Sequence, residues 1–248
     1  MTINSPVRLL DWDSTFFGVR IGRIEATRLT QVDIAAALQW ASNHGVECLY
    51  FLCVADDDES VRLAEAQEFH LVDLRLTLRW RKDGRPTSGL LRGDESVPVV
   101  RPYRPEDKIG IEDIAAVAYH DTRFFYDRNI GVEHATALYR EWAAKSCDGA
   151  VDAVLVAADS QVVQGFITCQ LQSPRHGQIG LVGVHEESRG AGLGQMLVEA
   201  ALAYFVDKGV DSVEVVTQGR NIAAQRLYQK CGFRSHSLHL WYPRWFNA

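Results

Sequence analysis

The stretch from Gly180 to Gly194, GLVGVHEESRGAGLG, holds the sharpest chemistry in this sequence. An apolar run enters a glycine-rich turn, and the turn opens a long amphipathic helix. Glycine permits φ > 0 and close backbone approach. The free N–H groups of a first helical turn converge on one point, and with the helix dipole they make an anion site. A pyrophosphate fits such a site. The loop lacks the Gly-Lys-Ser/Thr ending of a Walker loop. It also departs from the dinucleotide fingerprint: Gly190-Ala191-Gly192 runs on into Leu193-Gly194, and no ribose-binding acid stands in the right place.

That loop needs a scaffold, and the apolar periodicity supplies one. Strands are predicted over 97–101, 151–157, 165–172, 178–184, 213–217 and 238–242, and helices over 112–119, 134–145, 192–208 and 221–230. Leu193, Met196, Leu197, Ala200, Ala201 and Tyr204 fall at helical spacing. Gly209 stands where a helix should end, and Asn221 and Gly232 bracket the next helix as cap and stop. The alternation predicts a mixed α/β sheet. Residues 81–97, RKDGRPTSGLLRGDESV, are charged and rich in Gly and Ser, and read as a linker between domains at 1–80 and 98–248. An internal repeat links the two. Residues 36–69 slide onto 200–233 without gaps, bringing Gly45-Val46 onto Gly209-Val210, Arg62-Leu63 onto Arg226-Leu227 and Phe69 onto Phe233. The first domain reads as a degenerate copy, with Ala64, Asp57 and Glu68 where the second has Tyr228, Asn221 and Gly232.

Composition narrows the partners. The 248 residues are 47% hydrophobic and 23% charged, enough apolar content for a sizeable core and too much for wholesale disorder. With 26 basic and 32 acidic residues the net charge is −6, which argues against a general nucleic-acid binder. No apolar run approaches the ~20 residues of a membrane span, and the first residues lack a signal-peptide core. Five scattered cysteines have no zinc-ligand spacing; they read as reduced thiols of a cytoplasmic protein, and no metal is expected. After Glu214 no acid follows, while Arg220, Arg226, Lys230, Arg234 and Arg244 do, a local balance suited to phosphates.

Two motifs carry a family resemblance. Arg189-Gly190-Ala191-Gly192-Leu193-Gly194 matches the Arg/Gln-x-x-Gly-x-Gly/Ala signature of the GNAT family of N-acetyltransferases. Asn221 to Phe233 resembles that family's second signature, Asn-x-x-Ala-x-x-Leu-Tyr-x-x-x-Gly-Phe. The likeness covers about residues 98–248. It implies the GNAT fold, acetyl-CoA as co-substrate, and direct attack of an amine on the thioester. The absence of a nucleophile elbow or a Cys/His pair agrees with that. By resemblance, pyrophosphate sits on the amides from Arg189 to Gly194, and the thioester carbonyl faces backbone N–H groups of Val182, Gly183 and Val184. Gly183 is expected to allow a bulge there, or only to pack. Tyr228 takes the position of the acid that protonates the leaving thiolate; a core tyrosine is the plainer reading. Asn221 caps its helix, contacts the cofactor, or does both. The base is open among His185, Glu186, His120, Asp121 and a water chain.

The acceptor is read from aromatics. Trp12 to Gly18, WDSTFFG, lies beside turn formers, and DTRFFYD at 121–127 reads as an aromatic, charged loop. Tyr139 and Trp142 follow at helical spacing. Phe17, Arg123, Phe124, Tyr126, Tyr139 and Trp142 are candidates to stack a sugar or base and pair a phosphate. This pattern is similar to the dTDP-fucosamine acetyltransferases, which also carry a truncated N-terminal domain. The expected partner is therefore a small-molecule amine, a nucleotide-linked amino sugar, and not nucleic acid. Leu227 before the tyrosine, and Phe125-Tyr126-Asp127 after Arg123-Phe124, depart from that pattern. Another small-molecule or protein amine stays open, as does an acyl-CoA-binding module without turnover. Homodimer formation is also left open.

Overall fold

The computed structural model describes residues 6–82, 99–159 and 162–246. The strands are β1 (Val7–Leu9), β2 (Ile21–Ile24), β3 (Cys48–Val54), β4 (Asp73–Arg81), β5 (Val99–Pro102), β6 (Ala153–Asp159), β7 (Val162–Ser173), β8 (His176–Val184), β9 (Ser212–Gln218) and β10 (Arg234–Trp245). They form one mixed sheet in the order β1-β2-β3-β10-β4-β9-β8-β7-β6-β5. The helices are α1 (Asp11–Phe17), α2 (Gln31–Asn43), α3 (Asp58–Ala66), α4 (Lys108–Ala118), α5 (Arg123–Tyr126), α6 (Val132–Lys145), α7 (Leu193–Asp207) and α8 (Ile222–Lys230). None of the described helices is long and apolar enough to cross a membrane. All five cysteines are unbridged.

Alternation along the strands assigns the faces. Val213 and Val215 of β9, Leu78 and Trp80 of β4, and Leu155 and Ala157 of β6 pack under α7 and α8. α7 meets them with Leu193, Leu197, Val198, Ala201, Leu202 and Phe205, one stripe at helical spacing. α2 and α3 cover the same face further along, over Leu49, Phe51 and Cys53 of β3. On the opposite face, α4 and α6 pack on Val154, Val156 and Phe166, while Leu10 and Phe17 border Cys48 and Tyr50. Between these two coverings lies a polar strip of β10, β4 and β9.

The repeat is structural. Sliding 36–69 onto 200–233 carries β3 onto β9 and α3 onto α8 residue for residue. Asp57 and Asn221 both sit at N-caps. Glu68 has φ +60° where Gly232 has φ +89°, so the copy kept the left-handed turn after losing the residue that suits it.

The halves are joined more deeply than a linker between side-by-side domains implies. β4, from the first half, lies between β9 and β10 of the second, and β10 lies between β3 and β4 of the first. β10 pairs antiparallel with β3 from His239–Val54 to Trp245–Cys48, and β4 pairs antiparallel with β9 from Arg75–Gln218 to Arg81–Ser212. Each half thus lends its last strand to the other half's central strand. Of the expected linker, Arg81 ends β4 and residues 83–98 lie outside the described residues, as does Val97 of the expected strand. The expected 238–242 strand is the middle of a longer one, because both of its edges find partners.

Candidate active site

Parallel β8 and β9 pair only from His176–Ser212 to Ile179–Val215 and then part. The parting follows from β7. Its register with β8 shifts between Ile167–Val182 and Cys169–Ile179, leaving Gly180 and Leu181 opposite Thr168. The Leu181 amide donates to Thr168 Oγ1 at 2.8 Å in place of a ladder bond. A methyl at Gly180 would lie 2.7 Å from that oxygen, so the close approach requires glycine. The bulge expected at Gly183 is therefore at Gly180–Leu181. Gly183 pairs in register with Phe166, and a methyl there would meet Phe166 and Ile114 at 2.7 and 2.9 Å. Its role is packing of β8 against α4.

The gap is closed off by α7 on one side. Gly190 and Gly192 have φ +82° and +85°, turning the chain so that α7 begins at the strand end. Arg189 Nε reaches the Val184 carbonyl at 3.3 Å across the turn. No side chain caps α7 and no acid stands in its first turn, so its leading amides point outward unclaimed. The equivalent start of α2 is filled: Thr30 accepts from the Asp33 amide and Asp33 accepts from the Thr30 amide. An anion fits the first helix start and not the second. A cleft of about 490 Å³ lies there, lined by Val182, Val184, Arg189, Gly190, Gly192, Leu193, Gly194, Asn221 and Tyr228. Ala191 is in the same turn and is not among the cleft's lining residues.

A second cavity, about 370 Å³, opens from the other side of the parted strands. The two share Ala118, Val182, Asn221, Ala224 and Tyr228. Tyr228 is held on α8, which Asn221 caps through Oδ1 and the Ala224 amide at 3.0 Å. It is buried, and burial, then the Cys231 thiol, push its hydroxyl well above the usual tyrosine range. Asn221 thus both caps and lines the site.

The second cavity joins residues of both halves. Arg123, Tyr139 and Trp142 line it as expected, together with Asp73 and Arg75 of β4 and Trp241 of β10. Asp73 is 3% exposed, and its Oδ1 accepts the Leu74 amide at 2.8 Å. Burial lifts its carboxyl to about 6, against the pull of the Leu74 amide, Arg220 and Arg123. Tyr119 stacks on Tyr139 with centroids 4.4 Å apart, its buried hydroxyl beside the Val182 backbone without a well-formed hydrogen bond.

Three expected acceptor residues lie elsewhere. The aromatic loop at 121–127 contains the short helix α5, which buries Phe124. Phe17, on a helix where turn formers predict a turn, stacks on Phe124 at 5.7 Å and supports the cavity wall from behind. Tyr126 is half exposed and lies under the Arg220 guanidinium, 3.5 Å from its ring centroid. Of the expected base candidates, Asp121 borders the cleft at α7, His120 packs on Phe125, and His185 and Glu186 line neither cavity. Asp73, Arg75 and Tyr119 carry no motif. Asp73 is marked in the sequence only as an acid opening an otherwise alternating strand.

Comparison with known proteins agrees with this geometry. Residues 114–233 match the model of the acetyltransferase (GNAT) family. A mycothiol acetyltransferase from Salinispora arenicola is 30% identical over 165 residues, covering 62% of this chain and 53% of the relative. One from Tsukamurella paurometabola is 39% identical over 87 residues, covering 34% and 30%. The chain thus spans about half or less of these relatives' length. Among solved structures, a GCN5-related N-acetyltransferase from Sphaerobacter thermophilus superposes with a TM-score of 0.66 at 16% identity, covering 96% of this chain and 76% of that one. A tandem GNAT protein from the clavulanic acid biosynthesis pathway gives 0.62 at 17%, covering 92% and 76%. Both show the fold, and the GNAT architecture extends over both halves.

Proposed function

We propose that this protein is an acetyl-CoA-dependent N-acetyltransferase acting on a small-molecule amine. The observation that carries the reading is the meeting of two cavities at Tyr228, one at an anion-binding helix start and the other lined by a buried acid and arginines. Acetyl-CoA supplies the activated acetyl group. The amides from Gly190 to Gly194 hold its pyrophosphate, the Arg189 amide being taken by the Glu186 carbonyl, and the parted backbone at Val182 faces the thioester carbonyl, where charge develops. The amine attacks from the acceptor cavity: a C–N bond forms, the C–S bond breaks, and the amine's proton passes to Asp73. Tyr228 gives its proton to the departing sulfur.

The name of these relatives, mycothiol acetyltransferase, points to an acceptor of mycothiol type. The nucleotide-linked amino sugar expected from the aromatic motifs has no counterpart among them. The two arginines in the acceptor cavity nevertheless favour an acceptor bearing negative charge. A panel of amines, assayed for free thiol released from acetyl-CoA, tests the enzyme reading, and dTDP tests the nucleotide reading by its effect on the unfolding temperature. Coenzyme A binding without thiol release for any amine would replace the enzyme with a binding module. A shift with acetyl-CoA but none with dTDP would remove the nucleotide sugar.

A further inference from the structure

We infer that the acceptor carries an anionic group beside its amine, and that Arg75 and Arg123 form the clamp that reads it; the inference rests on the acetyltransferase reading above. Both arginines line the cavity that also holds Asp73. Of the acids near them, Glu214 and Asp73 already have partners, and Asp13 lies close enough to feel the Arg123 charge without entering an ion pair among the described residues. Glu214 is taken by Arg79, with His176 Nε2 a further 3.7 Å from its other oxygen. Asp73 accepts the Leu74 amide and lies 4.0 Å from Arg220 Nε.

Among the described residues, neither Arg75 nor Arg123 enters an ion pair. The polar contact of Arg75 is a long one, from Nη1 to Thr77 Oγ1 at 3.4 Å. Arg123 is held by ring faces, its guanidinium carbon 3.9 Å from the Phe124 centroid and 4.3 Å from that of Trp241. Ring stacking fixes the group but fills none of its donors, and Arg123 Nε is buried without an acceptor. His239, opposite Arg75 in register, has a buried Nδ1 that is likewise unpartnered. Burial, then the nearby Arg123 charge, pull Arg75 below the usual guanidinium range. Two cations sharing a half-buried wall, with empty donors, define a site for a carboxylate or phosphate. The same charges favour the neutral, reactive form of a neighbouring amine.

The test compares three amines of one skeleton: glucosamine, glucosamine 6-phosphate and 2-amino-2-deoxygluconate. Binding is measured by calorimetry on protein saturated with coenzyme A, so that the start of α7 is already filled. The charged probes should bind at least tenfold more tightly than glucosamine, and the tighter of them names the anion. Arg75→Gln should abolish that preference while leaving coenzyme A affinity and unfolding temperature within error. Equal binding of all three, failure of both charged probes to bind, or a preference that survives Arg75→Gln would overturn the clamp. Charge-selective binding without acetyl transfer to any amine would instead overturn the enzyme reading and leave the clamp standing.

Discussion

Asp73→Asn separates proton transfer from mere packing in the acceptor cavity. With its carboxyl at about 6, Asp73 is about 90% ionised at pH 7 and about 10% ionised at pH 5. Wild-type kcat/KM should therefore fall about tenfold between those values as the base is lost. Asn cannot accept the proton, so the variant should be slower by about 10² to 10⁴ at pH 7, with that limb flattened. Stability should move the other way. The carboxyl rises from 3.8 unfolded to about 6 folded, so the native state binds more protons and loses stability as pH rises through that interval. At 1.36 kcal/mol per pKa unit the burden at pH 7 is about 3 kcal/mol. Asn keeps an acceptor for the Leu74 amide and does not ionise. The variant should therefore melt higher at pH 7, by up to about 6–12 °C for a chain of this size, with the gap closing towards pH 4. Thiol-release kinetics and thermal melts from pH 4 to 8 read both effects. An unchanged acid limb in the variant, or a melting gap independent of pH, would refute the assignment.

Three further outcomes follow. Tyr228→Phe should lower kcat about 10²- to 10⁴-fold while acetyl-CoA affinity, measured by calorimetry, stays within about twofold; equal rates would remove Tyr228 from the acid role. Gly180→Ala drives a methyl to 2.7 Å from Thr168 Oγ1 and should cost about 1–3 kcal/mol in urea unfolding, with Thr168→Ala recovering part of it. Glu68→Gly relieves a left-handed backbone that costs a non-glycine residue about 1–2 kcal/mol, and should raise the unfolding temperature by a few degrees. The lost ion pair to Arg244, whose side chain is 18% exposed, offsets part of that gain.

The second half was legible because its signals are local. Gly190 and Gly192 announce φ > 0, Asn221 announces a cap, and the stripe on α7 announces its buried face. The repeat was legible for the same reason, down to the paired N-caps at Asp57 and Asn221. The acceptor cavity was only partly legible. Arg123, Tyr139 and Trp142 were expected, but aromatic type alone does not distinguish a ring facing a ligand from one facing the core. Phe124 and Phe17 went inward because two apolar rings lose less by packing together than by facing water. Asp73 and Arg75 were invisible because β4 reaches the site only through the exchange with β10, a pairing between segments far apart in the chain. The bulge was misplaced for a related reason: its cause is Thr168 on the neighbouring strand, not the strand's own glycine pattern.

The exchange of β4 and β10 also sets an order of assembly. On a ribosome, β3 and α3 emerge long before β10, yet β3 cannot gain its second edge partner until β10 has emerged. The first half must wait with an open strand edge, and β4 waits beside it. Long-range pairing of this kind slows folding, since loop closure precedes the contacts that reward it. β10 acts as a bolt passed through both halves. The acceptor cavity, with Asp73 on one exchanged strand and Trp241 on the other, comes into existence only when that bolt is home.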